Sequence, residues 1–143
     1  MRRVWVHRPL LLLTLLILLL LRDHSGFVRT ALLASVLHET GHVLAYWCLR
    51  RELPALSLSP CGIGLRWQSG IGETPRRLLL VAAAGPAVNL LLCAGALILM
   101  QVQASYWGYT FAGVNLCTGL FNLLPLGGLD GARILTAVRE LCR

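Results

Sequence analysis

Apolar residues in this chain come in long blocks rather than alternating with polar ones. The blocks fall at residues 5–21, 27–49, 78–100 and 106–126. Runs of this length predict helices whose solvent is lipid, because ~20 apolar residues in helical form cross a hydrocarbon layer of ~30 Å. The first block is short: Pro9 to Leu21 lies between Arg2, Arg3, Arg8 and the pair Arg22-Asp23, so Val4 to Val6 and a snorkelling Arg8 are expected to help it span. A charged flank before a brief apolar run also fits a signal peptide. No small-x-small cleavage site follows Leu21, however, and a retained span is the expectation.

Between Arg50 and Arg77 the pattern changes. Pro54, Pro60, Gly62, Gly64, Gly70, Gly72 and Pro75 exclude a helix, while Leu56 and Leu58, then Ile63, Leu65 and Trp67, alternate as strands do. A small β-hairpin over about residues 55–68, turning at Ser59 to Gly62, is predicted. The fourth block breaks at Pro125, Gly127 and Gly128, and a helix is expected to resume over about 131–142, with Ile134, Leu135, Val138 and Leu141 on one face. The predicted fold is therefore an all-α polytopic membrane protein. It has four transmembrane helices, a cytoplasmic-side β-hairpin and a broken last helix, in one domain over 1–143.

Composition agrees with that reading: of 143 residues 57% are hydrophobic and 13% charged, where soluble domains carry about 25% charge. All 13 basic residues are arginines. With four crossings, all of them except Arg22 and Arg29 fall on one side, which the positive-inside rule assigns to the cytoplasm together with both termini. Lacking a basic helix or an aromatic-interleaved basic platform, the net charge of +7 points to anionic lipid headgroups and not to nucleic acid. Five cysteines, at positions 48, 61, 93, 117 and 142, form no CxxC pair and read as small apolar residues.

Against so apolar a background the few ionisable residues carry the chemistry. His38-Glu39-Thr40-Gly41-His42 matches HExxH: residues one helical turn apart share a face, so both imidazoles can bind one zinc while the glutamate beside them handles protons. The competing reading has the histidines hydrogen-bonded to neighbouring helices. A catalytic zinc needs a third protein ligand and an open position for water. Asp130 is the acid left in an apolar context, and it follows Pro125 to Leu129, which cannot stay helical. Two readings are open for it, a metal ligand presented by a broken helix and an N-cap for the helix that follows. With Leu49 at the cytoplasmic end, His42 and His38 lie about 10 and 16 Å inside the bilayer. For Asp130 to meet them, the fourth helix must start shallow or break early.

The HETGH segment, Gly85-Pro86-Ala87-Val88-Asn89, and the run from Asn122 through Pro125 to Asp130-Gly131 together resemble the site-2 protease family of intramembrane zinc metalloproteases (peptidase M50). The branch containing stage IV sporulation protein FB is the most similar. Motif order and spacing match over roughly Ala31 to Leu135. The resemblance implies one Zn2+ per chain held by His38, His42 and Asp130, Glu39 as general base, and Asn122 in contact with substrate. Asn122 bonding carbonyls freed near Pro125 is the alternative, and Asn89 reads first as a residue that packs helices together. Two departures occur: Gly128 stands where members often have a second proline of NxxPxxPLDGG, and Ala132 where they have its second glycine. Family members usually carry further spans or a regulatory domain, so the expectation is a catalytic core.

The implied activity is metalloendopeptidase cleavage within or near the transmembrane segment of a membrane protein substrate. An unknown regulatory membrane protein and a bacterial cell membrane complete the expectation. The alternative is a non-catalytic membrane binding protein that retains the protease fold.

Overall fold

The computed structural model describes residues 4–6, 9–51, 55–59, 62–66 and 74–143. Among these, α1 spans Pro9–Arg22, α2 Phe27–Arg50, α3 Pro75–Met100, α4 Tyr106–Asn122 and α5 Asp130–Leu141. Three strands complete the order: β1 at Val4–Val6, β2 at Ala55–Ser59 and β3 at Gly62–Arg66. In the sheet, β1 pairs in parallel with β2, and β2 pairs antiparallel with β3 in the register Leu56 to Leu65 and Ser59 to Gly62. The sheet sits beside α2 through β3. Residues 60–61 of the expected turn, residues 67–68 of the expected hairpin, and Cys61 lie outside the described residues.

Helix ends follow local chemistry. Pro75 opens α3, where its missing N–H is harmless, and the Ser105 hydroxyl accepts from the N–H of Gly108 at 3.1 Å to cap α4. Pro9 likewise starts α1, and this corrects the expected first span: residues 5 and 6 belong to strand β1, and α1 has 14 residues. At ~1.5 Å per residue α1 covers only ~21 Å. The fourth span is corrected too, because α4 ends at Asn122 and not at residue 126. Pro125 disfavours helical geometry at Leu124, and the chain instead turns through Leu126 to Leu129, where the N–H of Leu129 donates to the Leu126 carbonyl at 3.1 Å. Gly128 sits there at φ +97°, open to glycine and costly for other residues.

Helix α3 is the hub, packing against α2, α4 and α5. Close approach depends on small residues: a Cβ on Gly41 would stand 2.9 Å from the Ala84 carbonyl oxygen, and one on Gly131 would strike the carbonyls of Leu123 and Leu124. Gly131 thus lets the first turn of α5 rest on the carbonyl end of α4. Helix α1 makes its main contact with α2 and leaves most of its leucines exposed.

By length and composition, α3 is the one helix among the described residues that is long and apolar enough to cross a membrane. Helices α1 and α4, at 14 and 17 residues, are short, whereas α2 has 24 residues but carries His38, Glu39 and His42. The candidate site itself supplies three of its most polar residues. Cys48, Cys93, Cys117 and Cys142 are free thiols.

The start of α2 is held by Asp23, whose carboxylate accepts from the backbone N–H groups of Val28 at 3.2 Å and Arg29 at 3.0 Å. Burial works against the charge, but those two bonds, the Arg29 guanidinium and the Ser25 hydroxyl outweigh it and lower the Asp23 pKa from 3.8. A lowered pKa means ionised Asp23 contributes stability that is complete above the unfolded-state value and is lost as pH falls through the folded-state value. Asp23→Asn is therefore expected to lower the Tm in detergent at pH 7. That gap should close as the pH is taken below about 3.8, measured by thermal scans of both proteins across pH.

Candidate metal centre

Three buried side chains from two distant stretches of chain meet at one point. His38 Nε2 lies 3.0 Å from Asp130 Oδ2, His42 Nε2 lies 3.1 Å from the same oxygen, and the two Nε2 atoms are 3.1 Å apart. Each residue is at most 4% exposed. The histidines come from successive turns of α2, as the HExxH spacing requires, and Asp130 is the first residue of α5. Leu129, not Asp130, occupies the N-cap position of α5, and Asp130 points its carboxylate into the histidine pair.

The protonation pattern of His42 follows from its other nitrogen. Nδ1–H donates to the backbone carbonyl of Val81 at 2.7 Å, since a carbonyl can only accept. In the neutral ring Nε2 then carries a lone pair, and that lone pair faces a carboxylate oxygen. A proton on His38 Nε2 would satisfy part of this cluster and still leave the His42 lone pair opposed to Asp130. A cation resolves all three contacts at once. Two imidazole nitrogens and a carboxylate oxygen are zinc donors, and bonds of ~2.0–2.1 Å in tetrahedral geometry separate ligand atoms by roughly 3.3 Å. The three atoms stand within a few tenths of an ångström of that spacing, so the residues fit the ion.

Several neighbours shape the cluster. Arg133 Nη1 donates to Asp130 Oδ1 at 3.3 Å, leaving Oδ2 for the histidines. Gly85 of α3 forms a wall: a Cβ there would collide with His42 Nε2 and stand 2.7 Å from His38 Nε2. Next to it Pro86 lacks the N–H that would bond the Ala82 carbonyl, and the Val81 carbonyl one residue earlier takes the imidazole of His42. Glu39, on the turn between the histidines, is half-buried.

Sequence reasoning brought His38, His42 and Asp130 together, and the structure places their donor atoms in contact. Asn122 instead donates its amide to the Thr118 carbonyl of its own helix at 3.0 Å. Three contributors were missed. Gly85 entered the sequence reading only as part of the Gly85 to Asn89 motif, and neither Arg133 nor the Val81 carbonyl was singled out. The i,i+3 spacing of Asp130 and Arg133 was the available signal for the second. A backbone acceptor leaves none.

No family model matches the chain. A Synechocystis protein provisionally named a zinc metalloprotease is 38% identical over 120 residues, 79% of this chain and 31% of the relative. Rip3 of Mycobacterium tuberculosis, also provisionally named a zinc metalloprotease, is 36% identical over 118 residues, 74% of this chain and 29% of the relative. The chain thus spans about a third of the length of the curated relatives it matches. Among solved structures, the site-2 protease from Methanocaldococcus jannaschii superposes with a TM-score of 0.69 at 26% identity, covering 96% of this chain and 67% of that one. These likenesses support the site-2 protease family. The helical body of the chain matches the site-2 protease fold, and the His38, His42 and Asp130 group fits the zinc of the relatives' names.

If Gly85 is the wall of a metal centre, a single methyl group tests it. Gly85→Ala is expected to weaken zinc binding at least tenfold, read by chelator competition on the purified chain. Gly95→Ala, on the same helix with nothing within 4 Å of its added carbon, should bind zinc as the unsubstituted protein does.

Proposed function

We propose that this chain is the core of a membrane-embedded zinc endopeptidase that hydrolyses a peptide bond within or near the transmembrane segment of another membrane protein. The observation that carries the reading is the convergence of His38 Nε2, His42 Nε2 and Asp130 Oδ2 within 3.1 Å of one another. Buried ionisable residues in otherwise apolar helices are costly and mark function. Within the family, the run from Asn122 to Gly131 favours the branch of stage IV sporulation protein FB.

In this reading α1, α2, α3 and α4 with α5 make four crossings, with both termini in the cytoplasm of a bacterial cell. The exposed leucines of α1 and the large apolar side chains on the outer faces of α2, α3 and α4 support contact with lipid. Between α4 and α5 the non-helical stretch from Leu123 to Leu129 is tolerable at membrane depth where protein covers it, and its Leu123 and Leu124 carbonyls lie against Gly131. Short α4 and the break after it let Asp130 reach the depth of the histidines.

His38, His42 and Asp130 would hold the ion, which supplies Lewis acidity to a water and to the scissile carbonyl. Glu39, one residue from His38, would accept a proton on its carboxylate from the attacking water as the water oxygen bonds the carbonyl carbon, and would pass it to the leaving amine as the C–N bond breaks. The Gly85 wall closes the α3 side. Asn122 is assigned to substrate contact: its amide, now turned to Thr118, would swing to the carbonyl of an unwound substrate. Substrate must be extended to react, since helical hydrogen bonds shield its peptide groups, and addition to the edge of β3 beside α2 would hold it so. A regulatory membrane protein remains a further expected partner of unknown identity.

Zinc content is the first test. About one zinc per chain in the detergent-solubilised protein, lost or weakened in both His38→Ala and Asp130→Ala, is expected. A folded protein that takes up no zinc after supplementation would overturn the reading.

Turnover is tested separately with a co-expressed membrane substrate. Glu39→Gln should abolish cleavage while zinc stays bound, and full activity in that variant would remove Glu39 as the base. Proline at Leu65 is expected to reduce cleavage without unfolding the chain, because it removes a backbone donor from β3.

A further inference from the structure

The two histidines differ in what holds the nitrogen that points away from the cluster. His42 Nδ1 is fixed by Val81, whereas His38 Nδ1 is buried and finds no partner among the described residues. The other buried side-chain polar atoms in that position are both amide atoms of Asn89 and the Oδ1 of Asn115. Asn89 and Asn115 are each 0% exposed. A buried carboxamide with neither its donor nor its acceptor engaged is costly, and such groups are commonly satisfied by enclosed water.

Register along the helices puts Asn89 toward the His38 end of the pair and away from the His42 end. His42 meets Val81 and Gly85, and His38 meets Gly85, so moving back along α2 corresponds to moving forward along α3. One turn beyond Gly85 on the same face of α3 is Asn89, with Gly119 of α4 against its other side, where an added Cβ would stand 3.3 Å from that of Asn89. Asn115 is one turn from Gly119 and its amide already donates to the Phe111 carbonyl at 2.8 Å. We infer that Asn89 is a positioning residue for His38: through an enclosed water its carboxamide oxygen accepts the Nδ1 proton, which keeps Nε2 unprotonated and aimed at the metal. This rests on the zinc reading above.

Outer partners of metal-bound histidines tune affinity by about 10–100-fold. In the full chain in detergent, Asn89→Leu should weaken zinc binding by that factor in chelator competition and shift the visible absorption of the cobalt-substituted protein. Asn89→Asp restores an acceptor and should stay within about threefold of the unsubstituted chain. Asn115→Leu should leave both readouts unchanged. A packing role predicts the reverse order, with leucine tolerated and a buried aspartate disruptive. Thermal scans of the metal-free proteins control for folding, and Asn89→Ala replaces the leucine variant if that one does not fold. Zinc affinity within threefold of wild type and an unaltered cobalt spectrum in the leucine or alanine variant would overturn the assignment alone. Failure of the unsubstituted chain to bind zinc would instead overturn the reading on which it rests.

Discussion

Three buried nitrogen and oxygen atoms held at about 3 Å are the constraint on which the rest of this structure depends. In a low-dielectric interior, two imidazole lone pairs and a carboxylate oxygen repel unless a positive charge sits among them. The ligands come from positions 92 and 88 residues apart in sequence, so the cluster exists only while α2 and α5 are clamped to the same hub helix. Metal binding and helix packing are then one equilibrium, because an ion that binds the folded arrangement stabilises every contact needed to assemble it. The small residues answer to this demand. Gly85 admits the imidazoles against α3, Gly41 brings α2 and α3 together, and Gly131 seats α5 on the end of α4.

The same constraint explains why α2 fails as a membrane helix by composition while being the longest apart from α3. Both histidines and the glutamate lower its hydropathy, so a criterion built on composition rejects the helix that carries two of the ligands. Helix α3 donates no ligand and keeps its apolar character. Its contribution is made with groups that hydropathy does not register: a missing side chain at Gly85, a missing N–H at Pro86 and the Val81 carbonyl.

What was legible in the sequence is what has a period or a type. The HExxH pair follows from helical spacing alone, and Asp130 from being an acid stranded after a proline and two glycines. Helices α2 and α3 lie close to their predicted ranges, since apolar blocks of that length leave little choice. Val4 to Val6 were assigned to a span because apolar residues preceded an apolar helix. Pro9 was the contrary signal, as a proline at a helix start separates what precedes it. The end of α4 was placed four residues late for a related reason: Pro125 forbids helical geometry before itself, not only at itself. Gly85 was seen only as part of a motif, because a glycine beside a proline says nothing of the ring packed against it.

Unequal support of the three ligands is the last consequence of this arrangement. Asp130 is oriented by Arg133 and by its place in the first turn of α5, where the helix dipole favours negative charge. His42 is fixed by a short bond to Val81, while His38 Nδ1 finds no such bond among the described residues. Proline at position 86 frees the Ala82 carbonyl, whereas His42 takes the neighbouring Val81 carbonyl, which can accept a side-chain donor on its second lone pair. Asn89, buried one turn beyond Gly85, carries both a donor and an acceptor, which neither a packing leucine nor a surface polar residue would bring to that interior.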